Sequence, residues 1–253
     1  MIQALIEQLE AEHILPFEDL VKLLTEADDS DRTLLFKKAR SVTDRYYGHD
    51  IYTRGLIEFT NYCKNDCLYC GIRKSNRHVE RYRLSEDDIL ACCREGHRLG
   101  FSTFVLQGGE DPFYTRDRMC RIISAIREHF PECAITLSIG EKSYDEYLAY
   151  YKAGANRYLL RHETADETHY AKLHPSELSL KNRMRCLYDL KAIGYQTGTG
   201  FMVGSPGQTP QTLAKDLLFI HQLQPEMIGI GPFIAHHDTP FKDCANGTLD
   251  MTV

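Results

Sequence analysis

Cys63-Lys-Asn-Asp-Cys67-Leu-Tyr-Cys70 sets three thiols at spacings of three and two intervening residues. Thiols so spaced can converge on one iron–sulfur cluster and leave its fourth iron without a cysteine. A centre with three protein ligands and one open position is suited to binding a reactant rather than to storing electrons. The competing readings are a zinc site, a disulfide, or three thiols packed side by side. Zinc needs a fourth ligand at a matching spacing, and no second Cys pair or tight Cys/His group follows Cys70. Disulfides belong to oxidising compartments, and Met-Ile-Gln-Ala-Leu-Ile-Glu at the start lacks the basic region and apolar run of a secretory signal. A cytoplasmic location is therefore expected, with the nine cysteines as thiols or metal ligands.

Four further words collect unusual residues: Gln107-Gly-Gly-Glu-Asp111, Arg161-His-Glu163, the stretch 200–208, and Gly231-Pro-Phe-Ile234. In the first, glycines such as Gly109 let the backbone approach a ligand, and a nearby acid can meet an ammonium. In the second, Glu163 follows an apolar run, and such charges are rarely buried unless paired. Arg183 falls on an expected helix, where a solvated position is a serious alternative. Pro232 and Ile234 offer apolar walls, and Met202 and Met227 flexible ones. Ser138 and Thr136 bring hydroxyls to the end of one strand. Arg54, near the start of another, would sit deeper and favours an anionic ligand. Gly198-x-Gly200 is followed by Gly204 at the wrong spacing for a dinucleotide fingerprint. His162 and His169 do not make the His-Glu-x-x-His pair of a zinc protease. His236-His237-Asp238 invites a metal, although adjacent histidines on a loop are expected to diverge into solvent. The remaining helix and strand cysteines, Cys92, Cys93, Cys120, Cys133 and Cys186, read as buried apolar residues.

These residues need elements to position them. Ile2, Leu5, Ile6 and Leu9, then Leu20, Leu23 and Leu24, recur at helical period, so residues 1–50 read as a helical cap. From residue 51 the pattern repeats as apolar strand, polar loop and amphipathic helix. Strands are predicted near 54–60, 103–107, 134–138, 156–160, 196–202 and 227–231. Helices are predicted near 85–99, 115–129, 143–153, 179–193 and 210–222, with Ser85 and Thr209-Pro210 as starts and Gly100, Gly154 and Gly194 as stops. Alternation of this kind implies an α/β fold with parallel strands and right-handed crossovers, a TIM-type barrel over 51–253. The unusual residues then gather at the C-terminal strand ends, where barrels of this topology place their sites. About six strands are present, and a closed eight-stranded barrel needs roughly two more units, so the C-terminal part is expected to be missing from the chain.

The chain has 253 residues and a formal charge of −6, with a pI near 6.0. That argues against a nucleic-acid surface, which needs a basic stripe. No stretch is apolar enough to span a membrane.

The cysteine word, with Tyr69 before its last Cys, resembles the radical S-adenosylmethionine (SAM) superfamily. Cys67-Leu-Tyr-Cys-Gly-Ile-Arg73, Leu106-Gln-Gly-Gly-Glu-Asp-Pro112, Tyr158-Leu-Leu-Arg-His-Glu-Thr164 and Ile228-Gly-Ile-Gly-Pro-Phe-Ile234 are similar to the FeFe-hydrogenase maturases of the HydE family. The resemblance implies a 4Fe-4S cluster on Cys63, Cys67 and Cys70, with SAM bound at its open iron. On the SAM side it implies Tyr69, Gln107, Gly109, Ser138, Glu163, Arg183, Met202, Pro232 and Ile234. On the substrate side it implies Arg54, Thr136, Arg161 and Met227. The implied partners are a low-potential electron donor of flavodoxin or ferredoxin type, a small organometallic or amino-acid-derived substrate, and other hydrogenase maturases. Biotin-synthase-like or methylornithine-synthase-like radical chemistry, or a non-catalytic iron–sulfur protein, are the alternatives.

Overall fold

The structure, a computed structural model, describes residues 1–253. Three helices come first, α1 (Ile2–Glu12), α2 (Phe17–Glu26) and α3 (Asp29–Tyr47). The alternating part then runs β1 (Gly55–Thr60), α4 (Glu86–Arg98), β2 (Thr103–Gly108), α5 (Arg116–His129), β3 (Ala134–Ser138), α6 (Tyr144–Ala153) and β4 (Arg157–Leu159). It continues through α7 (Glu167–Leu173), α8 (Leu180–Ile193), β5 (Gln196–Thr199), β6 (Met202–Val203), α9 (Pro210–Leu223), β7 (Met227–Ile228), β8 (Gly231–Pro232) and α10 (Leu249–Thr252). Strand order in the main sheet is β1-β2-β3-β4-β5-β7, and every pairing is parallel. The α/β architecture and its six parallel strands agree with the sequence expectation.

Two details differ. The strands predicted over 196–202 and 227–231 each split, and their second halves, β6 and β8, pair with each other in a separate two-stranded ladder. The break falls at Gly200, whose φ is +156° and where a Cβ would lie 2.0 Å from the Gly229 carbonyl oxygen. Helix α7 was not predicted, because seven residues are too few to show a helical period.

Helix starts follow local side-chain chemistry. Asp28, Ser85, Ser143 and Thr209 each close a reciprocal capping box, so otherwise unpaired amides of the first turn are satisfied. Side-chain alternation then divides the sheet into two faces. Ile57, Phe59, Phe104, Leu106, Ile135 and Leu137 turn towards the helices and join a core with Ile89, Ile122, Ile126, Leu187 and Leu190. The opposite face carries Glu58, Gln107 and Ser138 in one register row, with Val105, Thr136 and Arg157 in a deeper one. A second core of Ile2, Ile6, Leu15, Leu20 and Leu23 packs α1 and α2 on Ala214 of α9. Fully burying each such side chain contributes roughly 1.5–3 kcal/mol.

Candidate active site

The loop after β1 holds the three thiols, all half-buried and unpaired. Its shape is imposed by two arginines and one acid. Arg73 is buried and bidentate to Asp66, both bonds at 2.7 Å, and Asp66 also accepts from the amide and hydroxyl of Ser75. The Arg73 guanidinium holds the Asp66 carboxyl well below the usual carboxylate range. Arg81 donates to the carbonyls of Asn61, Ile72, Arg73 and Asn76 and so ties the loop to its return segment. The Leu68 amide donates to the Leu173 carbonyl at 2.9 Å, and the Lys64 amide to the Glu110 carbonyl at 3.0 Å. The loop is thereby bound to α7 on one flank and to the end of β2 on the other.

Burial pushes all three thiols up, Cys67 to about 12, and Cys70 and Cys63 raise Cys67 further through the repulsion of neighbouring thiolates. Such a trio needs a cationic centre to hold it as thiolates. Three half-buried thiols on one loop are the soft donor set that an iron–sulfur cluster takes, so the residues present fit that group. The one group of three metal-capable side chains whose ligand atoms lie within 4.8 Å of one another is His236, His237 and Asp238.

Gly109 faces this loop directly. A Cβ there would lie 2.2 Å from the Tyr62 carbonyl oxygen and 2.7 Å from Cys63 Cβ. Gln107 and Ser138 stand on the same rim as register partners, and Gln107 donates to Glu58 at 3.3 Å. Tyr69 is held edge-on to His174, its hydroxyl 3.3 Å from Nε2. Glu110 differs from expectation: its carboxylate is taken by Lys64 at 3.2 Å and by the Glu141 amide at 2.9 Å. It is not free to meet an ammonium.

Glu163 follows β4 with φ at +65°, a left-handed conformation rare for glutamate, and its amide donates to the Gly200 carbonyl at 3.0 Å. The carboxylate is buried and Oε2 has no hydrogen-bond partner. Burial pushes its pKa up, while Arg161 and Arg183 pull the other way. Backbone strain of about 1–3 kcal/mol and an unsatisfied buried acceptor are costs that persist where a side chain is held for a ligand. Arg183 is only 7% exposed, against the solvated alternative. Its Nε donates to Glu141 and its Nη1 to the Arg161 carbonyl, both at 2.6 Å. Burial works against its charge, but Tyr170, Glu141 and Tyr69 more than offset that and keep its pKa raised.

Behind Glu163 lies a pairing that sequence reading missed. His162 is fully buried, with Nδ1 2.9 Å from the Thr199 hydroxyl and Nε2 3.5 Å from Asp216, itself fully buried. Asp216 Oδ1 also accepts from the Ala165 amide. No local signal reveals this pair, because its members lie on different elements.

Other site candidates spread more widely. Thr136 is buried with its hydroxyl unpartnered, and the Arg161 guanidinium lies against Gly229. Met202 is buried in β6, opposite Gly231, and Pro232 is half-buried in β8, opposite Val203. Met227 is half-buried and pairs with Gly198. Ile234 is 61% exposed. Arg54 is exposed at the opposite end of β1 from the cysteines, near enough to Arg157 to lower its pKa after burial has done so. His236 and His237 do not diverge as expected: their rings stack at 4.4 Å. Cys92 is exposed, unlike the buried Cys93, Cys133 and Cys186.

The model of the radical SAM superfamily matches residues 57–220. The chain is 42% identical over 236 residues to the [FeFe] hydrogenase maturase subunit HydE of Thermotoga maritima, covering 93% of this chain and 67% of that protein. It is 30% identical over 234 residues to 3-methylornithine synthase of Methanosarcina acetivorans, covering 90% of this chain and 66% of that one. The chain thus spans about two thirds of the length of these relatives. The crystal structure of methylornithine synthase (PylB) superposes with a TM-score of 0.85 at 27% identity, over 94% of this chain and 70% of that one. That of the maturase HydG superposes with a TM-score of 0.82 at 21% identity over 95% and 57%, and bears on the fold alone. With three thiols on the loop after the first strand, and with these likenesses along nearly its whole length, the chain belongs to the radical SAM superfamily.

Proposed function

We propose that this protein is a HydE-type radical SAM enzyme that acts on a small organometallic precursor during assembly of the FeFe-hydrogenase active site. The observation that carries the reading is the three-thiol loop facing Gly109, on the same rim as the partnerless carboxylate of Glu163. The 42% identity to HydE, against 30% to methylornithine synthase, favours the maturase. When bound, a 4Fe-4S cluster with SAM supplies one-electron cleavage of the sulfonium to methionine and a 5′-deoxyadenosyl radical.

The protein's own part is binding, orientation and exclusion of water. Cys63, Cys67 and Cys70 hold the cluster, on a loop made rigid by Asp66, Arg73 and Arg81. Gly109 brings backbone carbonyls close to the methionyl ammonium, with Gln107, Ser138 and Tyr69 beside it. Glu163 accepts hydrogen bonds from SAM, and Arg183 supplies the balancing charge. Met202, Pro232 and Ile234 wall the adenosine side. Thr136, Arg161 and Met227 face the substrate, and the Arg161 guanidinium suits an anionic complex, while Arg54, proposed from the resemblance alone, stands apart from them at the opposite end of β1. Nine unpaired thiols suit the reducing cytoplasm, and no helix is long and apolar enough to cross a membrane. A low-potential carrier of flavodoxin or ferredoxin type and other hydrogenase maturases complete the proposed partners.

Anaerobic loading with iron and sulfide, followed by electron paramagnetic resonance of the reduced protein, tests this. A 4Fe-4S signal that shifts on adding SAM and vanishes in Cys67→Ala is the expected result. A signal indifferent to SAM would reject the enzyme.

A further inference from the structure

The segment after the first thiol has a charge opposite to that of the protein. Residues 64–83 hold Lys64, Arg73, Lys74, Arg77, Arg81 and Arg83 against Asp66 and Glu80, a net of +4 within a chain whose total is −6. Arg73 and Arg81 point their donors inward to Asp66 and to loop carbonyls. The Lys74 and Arg77 side chains are exposed and make no hydrogen bond or ion pair, although the Lys74 amide donates to the Asn65 carbonyl at 2.8 Å.

Beside them the positive surface is built on aromatic rings. The Arg83 guanidinium lies 3.9 Å from the Tyr62 ring centroid and 4.6 Å from that of Phe113, and Arg118 lies 3.8 Å from Phe113. Arg83 is fixed there by a bidentate pair with Asp111 at 2.7 and 2.9 Å. Phe113 is 43% exposed. Arg83, Phe113, Arg118 and Arg121 line a cleft of about 400 Å³ in which Glu86 is the sole acid. Tyr62, the inner end of this stack, is bonded to Cys63. The stack therefore ends on the residue next to a cluster ligand, a placement that suits electron transfer.

We propose that this basic, aromatic surface is the docking site of an acidic one-electron carrier protein. This rests on the reading that the thiols hold a redox cluster. The step is simple: the carrier loses one electron, the cluster gains it, and no bond or proton moves. Arginine and aromatic residues favour protein interfaces, and charge complementarity steers encounter and sets its salt dependence. Exposed cation–aromatic contacts keep the guanidinium groups in place at little cost in mobility.

The test compares the cluster-loaded wild type with an Arg77→Glu/Arg121→Glu variant, neither of whose side chains fastens the thiol loop or belongs to the SAM side. Binding of a reduced acidic flavodoxin, and separately of an acidic ferredoxin, is measured by calorimetry at low salt. SAM cleavage is driven either by the carrier or by dithionite. For at least one carrier, the variant is expected to raise Kd and lower carrier-driven cleavage tenfold or more, with dithionite-driven cleavage unchanged. In 0.5 M salt the wild type should fall to the variant's level, since screening then acts within a few ångströms. Unchanged Kd for both carriers overturns the proposal, as does equal loss with dithionite. So does wild-type cleavage that pyrophosphate inhibits saturably at constant ionic strength, which marks a small-anion cleft instead. No cleavage with dithionite in the wild type would sink the SAM reading, while the calorimetry still decides the docking.

Discussion

Gly109 has no space for even a methyl group, because the Tyr62 carbonyl and Cys63 Cβ already occupy it. Relief would have to come from backbone on the cysteine loop, which Asp66, Arg73 and Arg81 hold fast. Gly109→Ala is therefore expected to leave the fold intact by circular dichroism yet cut bound iron after reconstitution by more than half. Wild-type iron content would show that the loop yields freely.

A second residue ties the site to pH. His174 stacks on Tyr170 at 3.9 Å, its Nδ1 3.0 Å from the Tyr170 carbonyl oxygen, so it needs its proton on that nitrogen alone. Burial, then the Arg183 charge, push it down from 6.5 to about 3. Between those values the unfolded chain binds a proton that the folded chain refuses. Stability is thus full above pH 6.5, falls as pH drops, and has lost this contribution below pH 3. Midway between the two values the slope reaches about 1.4 kcal/mol per pH unit, and the loss between pH 7 and pH 5 is about 2 kcal/mol. Urea midpoints at those two pH values should converge in His174→Phe, apart from a remainder due to His169, lowered chiefly by burial. An undiminished slope would place the effect elsewhere.

At the scale of elements, the site depends on joints between neighbours rather than on any one strand. Glu141, on the loop after β3, meets Arg183 on α8 at 2.6 Å, and both side chains are under a tenth exposed. Arg183 in turn reaches the carbonyl after β4. Breaking a buried pair leaves a charge uncompensated, so Glu141→Gln should cost about 3–5 kcal/mol of folding free energy. Chemical denaturation measures this, and a loss under 1 kcal/mol would mean that Arg183 finds other partners.

The same elements show what a sequence can reveal. Helix starts at Ser85 and Thr209 and stops near Gly154 and Gly194 were legible because caps are local chemistry. The first three strands were legible because one face of each is continuously apolar. The Gly200 break was not, since its cause is the Gly229 carbonyl on another strand. Glu141 with Arg183, and His162 with Asp216, were invisible for the same reason. Glu110 was misjudged because its counter-ion, Lys64, belongs to the cysteine loop. Spacing announced the thiols, whereas charge pairing across the fold decided which acids remained free.

At the scale of the whole molecule, the helical layer of α1–α3 reaches the site through its packing. Leu23 lies in the core shared with Ala214 of α9, whereas Leu24 also packs on the small cluster of Phe201, Val203 and Leu213. Phe201 bridges to Glu163, and Met202 follows it in β6. An outer helix thus backs the segment that sets the strained backbone of Glu163. Leu23→Ala is expected to cost about 2–4 kcal/mol of stability, with SAM affinity unchanged in the protein that remains folded. Leu24 is partly exposed, so Leu24→Ala should cost about half as much. It should nevertheless weaken SAM binding three- to tenfold, because Phe201 then has room to shift and the Glu163 carboxylate with it. Calorimetric SAM titrations of both cluster-loaded variants, at a temperature where each is folded, separate the two effects. Equal SAM affinities would reduce the helical layer to a source of stability alone, while selective loss in Leu24→Ala would make it part of the wall behind the bound cofactor.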